Sequence, residues 1–523
     1  MFIMLLHLGV VLALLCGYYL VRLFSSPLYQ VPAAHWSSRF SSVWILWTRY
    51  SGQELSRLIE AHQKHGPIVQ VGPKDLSVSS YQDGIRRIYD AGFPKPASFF
   101  APFDYYRRRN AFTSLERTEH GLRRRRTAAL YSKSALLQSE HLLDVTNRVL
   151  YGRLLPMLHK AAQEDSTIDG LDLSYSICAD FLSSFIFGYS SGTNYLCQPK
   201  SAIADWRAHY ENTMCHEMFF VQEMPRLYKL MSALGIDLLP SSYTKSKEFL
   251  ENWMSDMASK ADAAIDQKRK AGLQLSFADE PIVYETASAA VEKDSPHLSE
   301  QDKREEVSSE MFDHISASRE VLGLVLGYAF WYIAQNPGAQ QSIRGELTAH
   351  GIEIPRPNDF RDIAERNDRY TSAKLDSLSY LRAVIDESLR MRPTSTPLPR
   401  ITPPDKGSSV AGIDNIPPGT RINSFQWFVH RDPAKWDHVH EWRPERWLQR
   451  DSDKKTFRED VLWAFVSGPR TCLGNNLSYY IMQHILAAIF SNFSFTALPR
   501  AEEQCWPGSP RDELPIKVSF IKR

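Results

Sequence analysis

The stretch "FVSGPRTCLG", Phe465 to Gly474, sets one cysteine, Cys472, between an arginine two positions before it and a glycine two positions after it. The chain has only six cysteines in 523 residues. A structural cysteine needs apolar neighbours and is otherwise indifferent to its context. This one stands among a cation, two glycines and an aromatic residue, a setting that presents the sulfur to something. The apolar run "LSYYIMQHILAAIF" comes directly after it and reads as a helix, which puts Cys472 near a helix N-terminus. Backbone N–H groups and the helix dipole favour a thiolate there.

Bulk properties narrow the chemistry. With 43% hydrophobic and 12% aromatic residues the chain can bury a large core. A formal net charge of +1 gives no global attraction to nucleic acid. Cys16, Cys178, Cys197, Cys215, Cys472 and Cys505 show no paired spacing, which fits a reducing compartment rather than a disulfide framework. His438 and His440 form an HxH pair with no further ligand cluster around it, so zinc is not expected there.

The N-terminus departs from the bulk. Phe2 to Val21 is apolar apart from His7, and at 1.5 Å per residue about 20 residues span a bilayer core of roughly 30 Å. A cleaved signal peptide would need Lys or Arg before the apolar run and a small-x-small site after it. Neither is clear, so residues 2–21 read as a retained single-pass transmembrane helix. Arg22 and Arg39 on its C-terminal flank place the remainder of the chain in the cytosol. Residues 22–35, with Pro27 and Pro32, read as a hinge, and residues 36–523 as one catalytic domain.

Beyond the hinge, helical patterns dominate: Leu136 to His159, Leu171 to Phe187, Phe249 to Lys268, Val307 to Gln335 and Leu381 to Arg390. Strand-like runs occur at "PIVQVG", "DLSVSS" and "TRINSF", with "PPGT" (Pro417 to Thr420) as a turn. Lys270 to Glu306 is polar and reads as a loop. The expected fold class is mostly α, of the α+β kind, with small segregated sheets.

A thiolate can serve as the axial ligand of haem iron. Such a site needs close backbone approach, which Gly468 and Gly474 permit. It needs a cation for the propionates, which Arg470 supplies, and a water-excluding group beside the sulfur, which Phe465 supplies. "FVSGPRTCLG" resembles the cytochrome P-450 haem signature Phe-x-x-Gly-x-Arg-x-Cys-x-Gly at every fixed position. Other segments agree in the family's order. "ESLR" resembles its Glu-x-x-Arg helix and "WRPERW" its Pro-Glu-Arg-aromatic segment. The resemblance implies a buried ion network of Glu387, Arg390 and Arg446 behind the haem. "EHGLRRRRTAAL" resembles the propionate-binding helix, with His120 where the family usually has Trp and Arg124 as the arginine. Arg400 in "TPLPR" matches another propionate arginine. Part of the run Arg123–Arg126 could instead form a basic face for an acidic reductase. "VGPKDLSVSS" and "FPKP" resemble fungal microsomal members.

One segment departs from the family. Its long central helix, over the haem, carries Ala/Gly-Gly-x-Asp/Glu-Thr-Thr. Here the aligned "ISASREVLG" keeps Ala317 and the acid Glu320, replaces the glycine by Ser318 and the threonine by Val321. Valine has the shape of threonine without its hydroxyl. A proton relay must then use Glu320, Ser318, water or a substrate hydroxyl.

The resemblance implies a membrane-anchored haem-thiolate monooxygenase with haem b bound through Cys472. It would insert one oxygen atom of O₂ into an apolar small molecule, in fungal secondary metabolism or detoxification. Electrons would come from NADPH through a separate NADPH–cytochrome P-450 reductase, since the chain carries no dinucleotide or flavin segment. The expected location is the endoplasmic reticulum membrane, with no nucleic-acid partner. The aromatic "ASFFAPFDYY" (Ala97 to Tyr106) and "RPTSTPLP" would lie over the haem. Two other readings stay open: a rearrangement, dehydration, ring-forming or peroxide-driven reaction at the same haem, and a non-catalytic haem or lipophile carrier.

Overall fold

The computed structural model of the chain describes residues 24–271, 275–352, 354, 371–393, 398–405, 407–448, 460–499 and 514–521, with His7, Val10, Leu14, Gly17, Tyr18 and Val21 before them. Those six positions are helical, but most of the expected anchor lies outside the described residues. Among the described residues, no helix is long and apolar enough to cross a membrane.

The chain divides into two compact units. The smaller comprises residues 1–99, 395–437 and 466–471. Its sheet has four strands in the order 68–72, 75–78, 421–423, 400–401. The first pair is antiparallel, 75–78 runs parallel to 421–423, and the last pair is antiparallel. All residues of the first two strands are buried: helices α1 (Val43–Tyr50) and α2 (Glu54–His65) pack on 68–72, and 75–78 lies between 68–72 and 421–423. A hairpin pairs 408–410 with 413–416. "PPGT" makes the turn between Ile416 and Arg421, as its Pro-Gly content predicts.

The larger unit comprises residues 100–394, 438–465 and 472–523. Its helices are α3 (Arg117–Thr127), α4 (Gly170–Phe187), α5 (Lys200–Thr213), α6 (Ser241–Ala271), α7 (Glu300–Ala317, continued by Ser318–Leu322 and Gly323–Gln335), α8 (Ser379–Met391) and α9 (Asn475–Asn492). A three-stranded sheet, 167–169, 515–520, 493–497, lies in the same unit. Helix α4 is buried on nearly every face, and its buried polar residues are satisfied locally, Asp180 by the Tyr195 and Leu196 amides at 2.7 and 3.0 Å. Asp169 caps it, accepting from the Leu171 amide at 2.8 Å. It packs against the second half of α7, where glycine permits contact: a Cβ on Gly327 would lie 2.8 Å from Leu171 Cδ2.

Ser299 caps helix α7, its hydroxyl accepting from the Asp302 amide at 3.1 Å. At Ser318–Leu322 it widens by one residue, and the Gly323 amide bonds back to the Ser318 carbonyl. Such π-turns concentrate at functional sites, and this one holds the segment where the sequence departs from the pattern it otherwise resembles.

Two element expectations need correction. Leu136 to His159 is not one helix: Ser139 ends one helix and N-caps the next, accepting from the Leu142 amide at 3.1 Å. Lys270 to Glu306 is not one loop. Ile282–Asp294 is helical with Val283, Tyr284, Ala287 and Val291 buried, and α7 begins at Glu300. Apolar residues at helical spacing carry that helix despite the polar composition around it.

Candidate haem-thiolate site

Cys472 lies three residues before α9, and its amide donates to the Phe465 carbonyl at 2.9 Å. Its side chain is exposed, yet burial raises the thiol pKa. The two agree if the sulfur opens onto accessible space deep within the protein rather than onto its outer surface. The Gly474 and Asn475 amides and the Arg124 guanidinium oppose the rise, while Asp313 adds to it. This donor set favours a sulfur anion, and a cation bound at the sulfur would invert the burial effect. Phe465 is half-buried and its ring meets Tyr479 of α9 at 5.6 Å between centroids. On α3, His120 is buried and stands one turn before Arg124. Burial lowers the Arg124 pKa and its neighbour Cys472 raises it. The larger unit therefore brings together Cys472, Gly474, Phe465 and Arg124. These residues fit a thiolate-ligated haem: an accessible sulfur, amide donors aimed at it, and a partly desolvated cation beside it.

Arg400, Arg470 and Gly468 belong to the smaller unit. Arg400 is buried, lies over the Tyr89 ring at 4.5 Å and donates to the Pro399 carbonyl at 3.0 Å. Burial lowers its pKa, and Tyr89 partly opposes this. Arg470 is half-buried in the turn Gly468–Arg470. Gly468 is required for a reason the sequence did not show. Its φ is +74°, and a Cβ there would lie 2.3 Å from the Tyr89 carbonyl oxygen. A Cβ on Gly474 would meet only Cys472 Sγ, at an ordinary 3.9 Å.

The ion network is built as expected. The Glu387 carboxylate accepts from Arg390 Nε at 2.9 Å and Nη2 at 2.8 Å, and from Arg446 Nε at 3.1 Å. It also accepts from Trp447 Nε1 at 2.9 Å and the Arg443 amide at 2.8 Å, two partners the motif did not announce. Arg390 reaches the Val439 and Glu441 carbonyls at 2.8 and 2.9 Å. The segment holding the HxH pair thus serves through its backbone. Among the described residues no group of three metal-ligating side chains occurs.

The run Arg123–Arg126 divides its work. Arg126 pairs with Glu306 at 2.6 Å and Asp294 at 3.3 Å, and Arg123 with Glu306 at 3.4 Å. Arg124 turns toward the sulfur, and Arg125 is the exposed member. Arg123 and Arg126 are therefore spent on internal ion pairs and do not form an outward basic face.

On α7, Ala317 and Val321 are exposed while the turns around them are buried or half-buried. They stand four residues apart, so one face of the helix opens there. Ser318 Oγ is buried with no protein hydrogen-bond partner. Glu320 pairs with Arg319, a buried residue whose guanidinium is caged over Tyr175 at 4.4 Å, Trp206 at 5.0 Å and Tyr210 at 5.6 Å. Sequence reading passed over Arg319. The aromatic segment is partly core: Tyr105 is buried against Phe312 of α7, with centroids 3.8 Å apart. Residues 394–397 of "RPTSTPLP" lie outside the described residues.

A helical α+β fold with a cysteine presented before a buried helix, backed by a Glu–Arg–Arg network, defines a haem-thiolate class of protein. The cytochrome P450 family matches residues 38–519, and the chain belongs to that family. It is 23% identical over 520 residues to cytochrome P450 monooxygenase hkm5 of Aspergillus hancockii, covering 96% of this chain and 92% of that protein. It is 25% identical over 481 residues to pisatin demethylase of Fusarium vanettenii, covering 90% and 85%. To cytochrome P450 monooxygenase astD of Aspergillus oryzae it is 26% identical over 501 residues, covering 92% and 86%. The chain is an oxidoreductase of a family whose curated relatives here are fungal monooxygenases.

Proposed function

We propose that this protein is a membrane-anchored monooxygenase of fungal secondary metabolism or detoxification that inserts one oxygen atom of O₂ into an apolar small molecule. The observation that carries the reading is the Cys472 setting: an accessible sulfur at the start of α9, with two backbone amides and Arg124 around it. Within the larger unit a haem would be held by Cys472, with Arg124 and His120 as propionate partners, and would supply O₂ activation when bound. The protein's own share is different. Cys472 would hold the haem iron through its thiolate, Phe465 would keep water from the sulfur, and the open face of α7 at Ala317 and Val321 would position the substrate. Ser318 and Glu320 hold the protons that leave with reduced oxygen. Electrons come from NADPH through a flavoprotein reductase.

The anchor is residues 2–21, at the endoplasmic reticulum, with the catalytic domain in the cytosol. Its support is the apolar sequence and a second apolar surface on the smaller unit, where Trp36, Val43 and Trp47 are 78%, 70% and 65% exposed. Val321 also favours a second reading, in which the haem drives a rearrangement, ring closure or peroxide-driven step. Holoprotein reconstituted with a cytochrome P450 reductase and presented with extracts of the producing organism separates the two. Product that requires NADPH and carries label from ¹⁸O₂ supports the monooxygenase; product without NADPH supports the second reading.

A further inference from the structure

Helix α7 carries a stripe of polar groups that the haem-thiolate reading leaves unused. Glu310, His314 and Ser318 occur at four-residue spacing, so they stack along one side of the helix. The Tyr131 hydroxyl lies 2.9 Å from His314 Nδ1, and the two rings meet edge-on at 5.4 Å. Glu310 stands 3.7 Å from His314 Nε2, close enough for charge attraction but too far for a hydrogen bond. The Ala111 amide, at 3.0 Å, holds that carboxylate in place. His314 Nε2 and Ser318 Oγ are both buried with no protein hydrogen-bond partner. Buried polar atoms are seldom left unsatisfied. Two of them on neighbouring turns of one stripe are best satisfied by a shared bridge. That stripe ends at the π-turn where valine stands in the place of the family's threonine.

We propose that Glu310, His314 and Ser318, braced by Tyr131, form the proton-delivery stripe of this enzyme, with His314 as a positioning and relay residue that acts through Ser318. This rests on the monooxygenase reading and deepens it. In its imidazolium form His314 donates Nδ1–H to the Tyr131 oxygen and is balanced by Glu310. It passes its Nε2 proton across a bridging water to Ser318 Oγ, and Ser318 releases its own hydroxyl proton to the oxygen being reduced. The neutral imidazole then takes one proton back from solvent, so protons balance, and the electrons are those delivered from NADPH.

The test uses the reduced, carbon-monoxide-bound holoprotein and compares its C–O stretching band at one pH in wild type and variants. The band moves in His314→Phe and stays near the wild-type position in His314→Gln, whose amide can still bridge to Ser318. In parallel, product per NADPH falls roughly tenfold or more in His314→Phe, with peroxide in its place, and His314→Gln recovers part of the loss. If His314→Phe fails to bind haem, Tyr131→Phe and Glu310→Gln carry the test, since each alters the stripe while keeping the imidazole, and each moves the band. A band that none of these variants moves, or an unchanged ratio of product to NADPH in His314→Phe, overturns the relay. A moved band with no NADPH-dependent product in wild type overturns the monooxygenase reading alone.

Discussion

At Cys472 the thiol is raised by burial and is opposed by two amides and Arg124, so its usefulness as an anion depends on what binds it. Reduced protein with carbon monoxide is expected to show the red-shifted Soret band of thiolate ligation, and Cys472→Ser to lose it. A retained band in the serine variant would falsify the ligand assignment. Val321 and Glu320 are expected to answer differently. Val321→Thr changes product per NADPH little, because a near-isosteric hydroxyl is added where the route already bypasses it. A several-fold rise in that ratio would mark the wild-type helix as an impaired relay. Glu320→Gln slows product formation, and it also leaves the buried Arg319 cation without its carboxylate. Thermal stability should therefore fall in that variant while the carbonyl spectrum of surviving protein stays normal. Unchanged stability would show that the aromatic cage alone satisfies Arg319.

Helix α8 and the turn Pro444–Trp447 are tied by one carboxylate. Glu387 and Arg390 are fully buried, and Arg446 nearly so. Replacing a partner in a buried pair strands the other charge at a cost of roughly 3–5 kcal/mol. Arg390→Ala should therefore be recovered as haem-poor, misfolded protein, measured by haem content per protein and by near-UV circular dichroism. A soluble, haem-replete Arg390→Ala with only a slower turnover would mean that the network acts in chemistry rather than in folding. The motif pair Glu-x-x-Arg was legible because three-residue spacing puts both side chains on one helix side. Trp447 and the Arg443 amide were not, since neither is near Glu387 in the chain.

Across the molecule, both compact units bury a neutral histidine. His62, in the smaller unit, donates from Nδ1 to the Gly66 carbonyl at 2.8 Å, and its Nε2 accepts from the Ser77 hydroxyl at 2.9 Å. His484, in the larger, lies between the Tyr480 carbonyl at 2.7 Å and Ser372 Oγ at 3.1 Å. Burial lowers each pKa from 6.5 to about 4. Between those values the unfolded chain binds more protons than the folded one, so stability falls as pH falls from 6.5 toward 4. Each site contributes on the order of 3 kcal/mol over that span. Denaturant melts at pH 7 and at pH 5 should show the loss, and His484→Gln should flatten it if it folds. A pH-independent midpoint would mean that neither ring stays neutral. Removing residues 1–24 should leave haem spectrum and substrate affinity intact, with some membrane association kept through Trp36 and Trp47; loss of haem on truncation would refute the separation of anchor from catalysis.

Local chemistry settled much of this protein in advance. The cysteine segment, the Glu-x-x-Arg spacing, the Pro-Gly turn and the valine in the central helix are all short-range patterns, and a short-range pattern can be read without a fold. The helix inside Lys270–Glu306 was hidden because charged residues outnumber the apolar stripe that holds it. The sharing of Arg123, Arg124 and Arg126 among Glu306 of α7, Asp294 of the helix before it and the Cys472 sulfur depended on α3 meeting segments between about 170 and 350 positions away. Gly468 looked like room for a macrocycle, but its backbone approaches the Tyr89 carbonyl. The pairing of His314 with Tyr131 likewise came from packing. Electrostatic and hydrogen-bond partners act through space over a few ångströms, and sequence distance carries almost no information about that space until the core has closed.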